Sequence, residues 1–202
     1  RGHRHIRQRW RERRSVGRLG HAGRLWRRRC SGRGGLRRFG LAMAQRLDLE
    51  LDLPGDGAWP ILALREGARE RSGLILASAD ARVEKHELLG AEAAPAFDPD
   101  MAQEMRLTAA ESLPARQADR THMVMLGGAM RPYAWTIDGA TWADHRPVAA
   151  RSGERVALTF HNMSTMGHPM HLHGHAFQVV NINGKAINGA MRDTVYVDRK
   201  SV

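Results

Sequence analysis

The sequence predicts an all-β protein, a Greek-key sandwich or barrel. From residue 121 onward, apolar and β-branched residues recur in short runs divided by glycine-containing turns. Asp138-Gly139 and Asn183-Gly184 are pairs that favour tight hairpin turns. The run 155–160 alternates apolar and polar residues, which is typical of a strand with one buried face. Together these features indicate strands joined by tight turns.

The predicted strands follow from these runs in chain order. Three precede residue 80, where alternation at 47–53 is followed by a turn cluster and two apolar runs. Pro60 lies in the second run and restricts it to a sheet edge or a strand start, because proline lacks an N–H donor. The predicted strands are 47–53, 59–64, 74–77, 122–126, 133–137, 155–160, 171–182 and 194–197.

The first 40 residues differ in composition from the rest of the chain. They contain 15 arginines, no lysine and a single acid, Glu12, whereas the remaining residues carry 17 basic and 20 acidic side chains. This composition predicts a disordered segment or one that is not genuine coding sequence, because it offers too little apolar surface to offset the entropy of ordering. Binding to nucleic acid is the less favoured interpretation.

Composition also predicts the domain boundaries. Residues 1–40 form the basic head, 41–80 belong to one β-rich unit, 81–120 form a linker, and 121–202 form a second β-rich unit. The linker is rich in Ala, Glu, Asp, Pro and Arg, and we expect one or two helical turns near 101–110. No run is apolar enough to predict a membrane span.

Four histidines within eight residues, at 168, 171, 173 and 175, are the strongest functional signal. They lie in the segment 156–184, which contains no Asp, Glu, Lys or Arg. Imidazole is a ligand for copper, zinc, iron and nickel. A single histidine on a strand is usually structural, but four at this spacing predict at least one metal ion.

Strand geometry separates these histidines. Residues i and i+2 of a strand share a face, so His171 and His173 should point the same way, about 7 Å apart along the strand. His168 has the opposite parity and is separated by Pro169, so we expect it to face a different metal ion.

The run from His168 to His175, with Ala176-Phe177-Gln178 after it, resembles the last cupredoxin domain of the multicopper oxidases, laccase-like and copper-resistance oxidases among them. The resemblance covers about 120–202. Less specifically, 45–80 resembles the end of a preceding cupredoxin domain. Other matching segments are 133–139, 153–156, 162–164, 166–167 and 192–195.

The resemblance implies copper as the cofactor and assigns ligand roles. His168 would bind the mononuclear blue copper, His171 the type 2 copper and His173 one of the paired type 3 coppers. His175 would support the ligands without binding metal. Asp193 is interpreted as a turn or ion-pair residue, with a role in orienting a histidine as the alternative. The implied activity is one-electron oxidation of a small molecule or metal ion, coupled to reduction of dioxygen to water.

Several expectations follow from what the resemblance does not cover. Members of the family carry a later His-Cys-His segment, and this sequence ends before one, while its single cysteine, Cys30, lies in the head. We therefore expect a truncated domain that is inactive alone. A non-enzymatic copper or zinc module is the alternative. The resemblance implies a periplasmic or secreted location, although no export signal is visible.

Overall fold

The computed structural model describes residues 38–47, 51, 53, 55–97 and 101–202. The basic head and the predicted strand at 47–53 lie largely outside these residues. The described part is all-β apart from two short 3-10 helices, Glu104–Arg106 and Trp142–Asp144, so the predicted fold class is confirmed. The strands are β1 Ala58–Leu64, β2 Arg71–Ala77, β3 Arg120–Met130, β4 Tyr133–Ile137, β5 Val156–Asn162, β6 His168–His171, β7 Phe177–Gln178, β8 Asn181–Ile182, β9 Lys185–Ala186, β10 Met191–Arg192 and β11 Thr194–Val197.

The largest sheet in the described part has the order β4-β3-β5. β3 pairs antiparallel with β4 across the hairpin and parallel with β5, where Leu126 lies opposite Asn162. The other sheets each have two strands, β1-β2, β7-β10, β6-β11 and β8-β9. Pro60 lies within β1, which is tolerated because a strand of a two-stranded sheet has an open edge.

β6, which carries the first histidines of the motif, pairs with β11, whose Val195 and Val197 lie in the core. His168 lies opposite Val197, and His171 lies opposite Thr194. Since directly opposite residues share a face of an antiparallel pair, His168 is on the same face as the buried Val197, and His171 is on the other face. The predicted separation of His168 from His171 therefore agrees with the register.

The core lies between the β3-β5 part of the large sheet and the β6-β11 pair. Its members are apolar side chains removed from water, which is the main favourable contribution to folding. They are Met101, Val124, Leu126, Val179, Ile182, Val195 and Val197. Met101 and Leu107 come from the segment predicted to be a linker, and both are buried. That segment therefore contributes to the core. The domain boundaries themselves remain a prediction.

An ion pair between Glu104 and Arg192 is buried beside this core. Their side chains are 5% and 8% exposed, respectively. Arg192 donates from Nε to Oε1 at 3.0 Å and from Nη2 to Oε2 at 2.7 Å, which is the bidentate arrangement that guanidinium and carboxylate favour. The third nitrogen, Nη1, donates to the carbonyl oxygen of Arg46 at 3.1 Å. Three chain segments therefore meet at one guanidinium.

Most predicted strands are present, and one was wrong. The runs at 59–64, 74–77, 122–126, 133–137, 155–160 and 194–197 all coincide with strands to within a few residues. The predicted single strand 171–182 is instead divided into β6, β7 and β8. The chain turns at His173-Gly174, where Gly174 has a φ of 71°, a value that side-chain-bearing residues rarely adopt. Apolar content alone did not reveal these breaks.

Replacing Glu104 with glutamine is expected to lower the free energy of unfolding by about 3–5 kcal/mol, because Arg192 would remain buried without its counter-charge. Urea denaturation followed by circular dichroism measures the loss. Glu70→Gln is the control, since Glu70 pairs with Arg65 on the surface and such pairs contribute about 0–1 kcal/mol. Equal losses in the two variants would show that the buried pair contributes no more to the free energy of unfolding than the surface pair.

Candidate metal centre

The structure brings two of the three predicted ligands together. His171 ends β6 and His173 lies in the following turn, with ring centroids 5.0 Å apart and planes at 55°. This is closer than the spacing of about 7 Å expected for a straight strand, because the chain turns directly after β6. His168 lies at the start of β6 on the opposite face. Among the described residues, no three His, Cys, Asp or Glu side chains converge on one point.

His168 is half-buried and held by Ser164 and Trp135. Its Nε2 lies 2.7 Å from Ser164 Oγ. The Trp135 indole packs edge-on against its imidazole, with ring centroids 4.8 Å apart at 83°. Gly128 makes room for this indole, because a Cβ at Gly128 would lie 2.8 Å from Trp135 Cε3. The φ of Gly128 is 148°, which side-chain-bearing residues rarely adopt. The loop before β6 and the β3-β4 hairpin thus position one imidazole.

The hydrogen-bond network around Ser164 determines which nitrogen of His168 carries the proton. Asn162 is 0% exposed, and its Oδ1 accepts from the Ser164 backbone N–H at 2.9 Å. Its Nδ2, which has two protons, lies within hydrogen-bond distance of the carbonyl oxygens of Met166, Val197 and Asp198. Ser164 Oγ lies within 2.9 Å of two acceptors, Asn162 Oδ1 and the Met166 carbonyl, and it has a single proton to donate. Ser164 therefore donates to one of these oxygens and accepts from His168 Nε2–H, which leaves the lone pair on Nδ1.

His171 has the opposite arrangement. Its Nδ1 lies 2.9 Å from the Asp193 carbonyl oxygen and 2.9 Å from Thr194 Oγ1. A carbonyl oxygen only accepts, so Nδ1 carries the proton and Nε2 carries the lone pair. A ring nitrogen fixed in this way by a backbone carbonyl is common in metal-binding histidines, because it sets both tautomer and ring orientation.

The remaining histidines of the motif are more exposed. His173 is solvent-exposed, and its backbone carbonyl lies 3.1 Å from His175 Nδ1. His175 is likewise exposed. His175 therefore contacts the turn that holds His173, and its supporting role stays a prediction.

Burial keeps His168 neutral. Desolvation lowers the pKa of its imidazole below the ordinary value of 6.5. A neutral imidazole is the form that binds metal, so at neutral pH the Nδ1 lone pair is available.

The donor set fits copper as far as it extends. His168 offers Nδ1 on one face of β6, and His171 offers Nε2 on the other, next to the His173 ring. Imidazole nitrogen suits copper, and a blue copper centre additionally needs a thiolate and a second imidazole. Cys30 lies outside the described residues, so these histidines form a partial ligand set.

Sequence reasoning missed Ser164, Thr194 and the role of Trp135. Ser164 is four residues from His168 in the sequence, and Thr194 is 23 residues from His171. Neither spacing indicates that the side chains are in contact. Asp193 was interpreted as a residue of a local turn or ion pair, and its carboxylate pairs with Arg46, which is 147 residues earlier in the chain. Its contact with His171 is made by the backbone carbonyl instead of the carboxylate.

Comparison with known proteins agrees with this geometry. The multicopper oxidase family profile matches residues 115–202. Multicopper oxidase MmcO of Mycobacterium tuberculosis (strain ATCC 25618 / H37Rv) is 34% identical over 164 residues, covering 78% of this chain and 30% of that protein. The Copper resistance protein A homolog of Pseudomonas syringae pv. tomato is 37% identical over 70 residues, covering 35% and 12%. Copper resistance protein A of Escherichia coli is 41% identical over 59 residues, covering 29% and 10%. No solved structure matched the chain.

These matches, together with the all-β fold and the paired imidazoles, define a copper-binding domain of the cupredoxin-like class. The chain belongs to the multicopper oxidase family, and copper is its cofactor. The match to the mycobacterial protein is longer than segment 115–202, so the likeness extends upstream of residue 115. The chain spans about a third or less of the length of the curated relatives described above.

Trp135→Ala is expected to raise the pKa of His168 toward 6.5, because water would reach the imidazole that the indole now covers. The folded pKa lies below the unfolded one, so the stability linked to His168 is complete above about pH 6.5 and falls as the pH drops through the folded value. An NMR titration of the His168 ring measures the shift. Trp142→Ala, at an exposed indole, is the control, and an unchanged pKa in Trp135→Ala would contradict this account.

Ser164→Ala is expected to change the tautomer of His168, because Nε2–H would lose its acceptor. Nitrogen-15 shifts of the imidazole at a pH above its titration report the proton position. Ser164→Thr retains the hydroxyl and is expected to keep the wild-type tautomer. If alanine and threonine gave the same spectrum, the hydroxyl would have no part in setting it.

Proposed function

We propose that the chain provides copper ligands to an oxidase that couples one-electron oxidation of a reducing substrate to the reduction of dioxygen to water. The observation that carries the proposal is the fixed imidazole of His171 beside that of His173, with Nδ1 hydrogen-bonded to a backbone carbonyl. Exposed histidines without a structural role have no need of such a fixed tautomer.

Within this proposal the two faces of β6 serve different copper centres. His168 is a ligand of the mononuclear copper, presenting Nδ1 from beneath Trp135. His171 and His173 are ligands of the trinuclear cluster, where His171 presents Nε2. Copper, when bound, supplies one-electron redox chemistry. The protein residues hold the imidazoles in place, and around His168 they also limit water, which lowers the pKa of that ring.

The described residues supply imidazoles and no thiolate, so we propose that His168 belongs to a ligand set completed by other parts of the oxidase. On this proposal the 202-residue chain does not reduce dioxygen by itself. The reductant is a small organic molecule or a metal ion, and the setting is periplasmic or secreted. Within the described residues, no helix has the length and apolar character needed to cross a membrane.

A non-enzymatic copper or zinc module is the second candidate. It is favoured by one observation: within the described ranges, three donor side chains do not converge on a single point. Such a module would bind one ion through His171 and His173 and would have no redox partner. Oxygen uptake with an aromatic amine as reductant distinguishes the candidates, provided that it is measured on the chain joined to the rest of its oxidase.

His171→Ala and His173→Ala are each expected to weaken Cu(II) binding by about tenfold or more, because each removes an imidazole from a two-nitrogen site. Binding is measured by titration with CuCl₂, followed by electron paramagnetic resonance and by loss of the backbone NMR signals of the residues in and next to β6. His86→Ala, at an exposed histidine outside the motif, is the control and is expected to retain wild-type affinity. The assignment fails if His86→Ala weakens binding as much as the other two variants.

A further inference from the structure

Arg192, which forms the buried ion pair with Glu104, directly precedes the two residues that hold His171. Arg192 ends β10, Asp193 follows it, and Thr194 begins β11. The Asp193 carbonyl and the Thr194 hydroxyl both contact His171 Nδ1, each at 2.9 Å. A buried charge pair and the partners of the imidazole therefore belong to a single tripeptide.

This tripeptide is anchored at both ends. All three guanidinium nitrogens of Arg192 have acceptors, two on Glu104 and one on the Arg46 carbonyl, so the side chain has little freedom to rotate. Thr194 is 2% exposed and pairs with His171 in the β6-β11 register. Between these anchors, the Asp193 carbonyl also accepts from the Leu172 backbone N–H at 2.9 Å. This oxygen therefore lies between the strand pair β6-β11 on one side and the anchored Arg192 on the other.

Two upstream segments converge on the same place. The Asp193 carboxylate pairs with Arg46, whose own carbonyl accepts from Arg192. Gln103, next to Glu104, exchanges two hydrogen bonds with the backbone of Gly40, at 2.9 Å and 2.8 Å. Residues 38–47 and 101–107 are therefore tied to each other and to the Arg192–Thr194 tripeptide. We call this assembly the Arg192 brace.

We propose that Glu104 is a positioning residue for His171. Through the Arg192 brace it fixes the Asp193 carbonyl, and this carbonyl holds the proton on His171 Nδ1 and the lone pair on Nε2. A buried charge pair contributes little stability beyond what apolar packing would give, but its fork geometry defines one position for the backbone that carries it. The consequence for metal binding rests on the proposed function, whereas the effect on the imidazole does not require any metal.

The first experiment is performed on the metal-free full chain. Nitrogen-15 NMR at a pH where the imidazole is neutral reports the tautomer of His171, assigned by comparison with His171→Ala. Glu104→Gln is expected to convert the single Nδ1–H tautomer into a mixture. Glu104→Asp, which retains the charge, is expected to keep the Nδ1–H tautomer in part. Thr194→Val shows how the spectrum changes when a direct hydrogen-bond partner of His171 is lost.

The matched control is Ile182→Ala, which removes apolar volume from the same core at β8 and leaves every hydrogen bond of the Arg192 brace in place. A merely structural role for Glu104 predicts that Glu104→Gln and Ile182→Ala, compared at conditions of equal folded fraction, give the same His171 spectrum as wild type. That result would overturn the proposal. If Glu104→Gln does not fold, Arg192→Lys replaces it, because lysine keeps the charge and loses the fork.

The second experiment adds CuCl₂ to the same variants. Glu104→Gln is expected to weaken Cu(II) binding at His171 by about tenfold, the lower end of the loss caused by removing a partner of a metal-bound imidazole. Ile182→Ala is expected to bind as wild type does. A disturbed tautomer in Glu104→Gln, combined with no copper binding at His171 in wild type, would support positioning and contradict the proposed function. An undisturbed tautomer in Glu104→Gln, combined with copper binding at His171 in wild type, would contradict positioning and support the proposed function.

Discussion

Backbone pairing between β6 and β11 determines where the histidines of β6 lie and which groups His171 contacts. Four residues from His168 to His171 lie opposite four from Thr194 to Val197, and this register aligns His168 with Val197 and His171 with Thr194, both of which are buried. Val195 and Val197 are buried in the core, so after a shift of one residue between the strands either these valines would leave the core or the histidines would change faces. The hydrophobic core therefore fixes the register of the strand that carries the histidines.

Each imidazole is then oriented by a different kind of partner. His168 is held by a hydroxyl within a turn organised by the fully buried Asn162. His171 is held by a carbonyl and a hydroxyl of the facing strand. As a result, two histidines three residues apart present different nitrogens, Nδ1 and Nε2. One short strand can thus serve two centres with different geometry, because neighbouring parts of the fold determine the tautomer of each ring.

The segments on the amino-terminal side of the β-rich unit reach the same site. Glu104 and Arg46 both contact Arg192, next to the carbonyl that holds His171. A segment whose composition predicted only a linker thus has buried apolar residues and a buried charge. Its acidic and alanine-rich sequence resembles that of many exposed connections, and nothing local distinguishes Glu104 from its neighbours. Only a partner 88 residues away does so.

The sequence by itself determined the fold class, most strands, the family and the histidines, because these depend on local periodicity, turn residues and the spacing within one motif. The opposite facing of His168 and His171 followed from strand parity for the same reason. The break of the predicted strand 171–182, the approach of His171 to His173, and the partners Ser164 and Thr194 were decided by tertiary structure. These features depend on backbone torsions and on contacts between distant segments, which the residue pattern of any single segment does not contain.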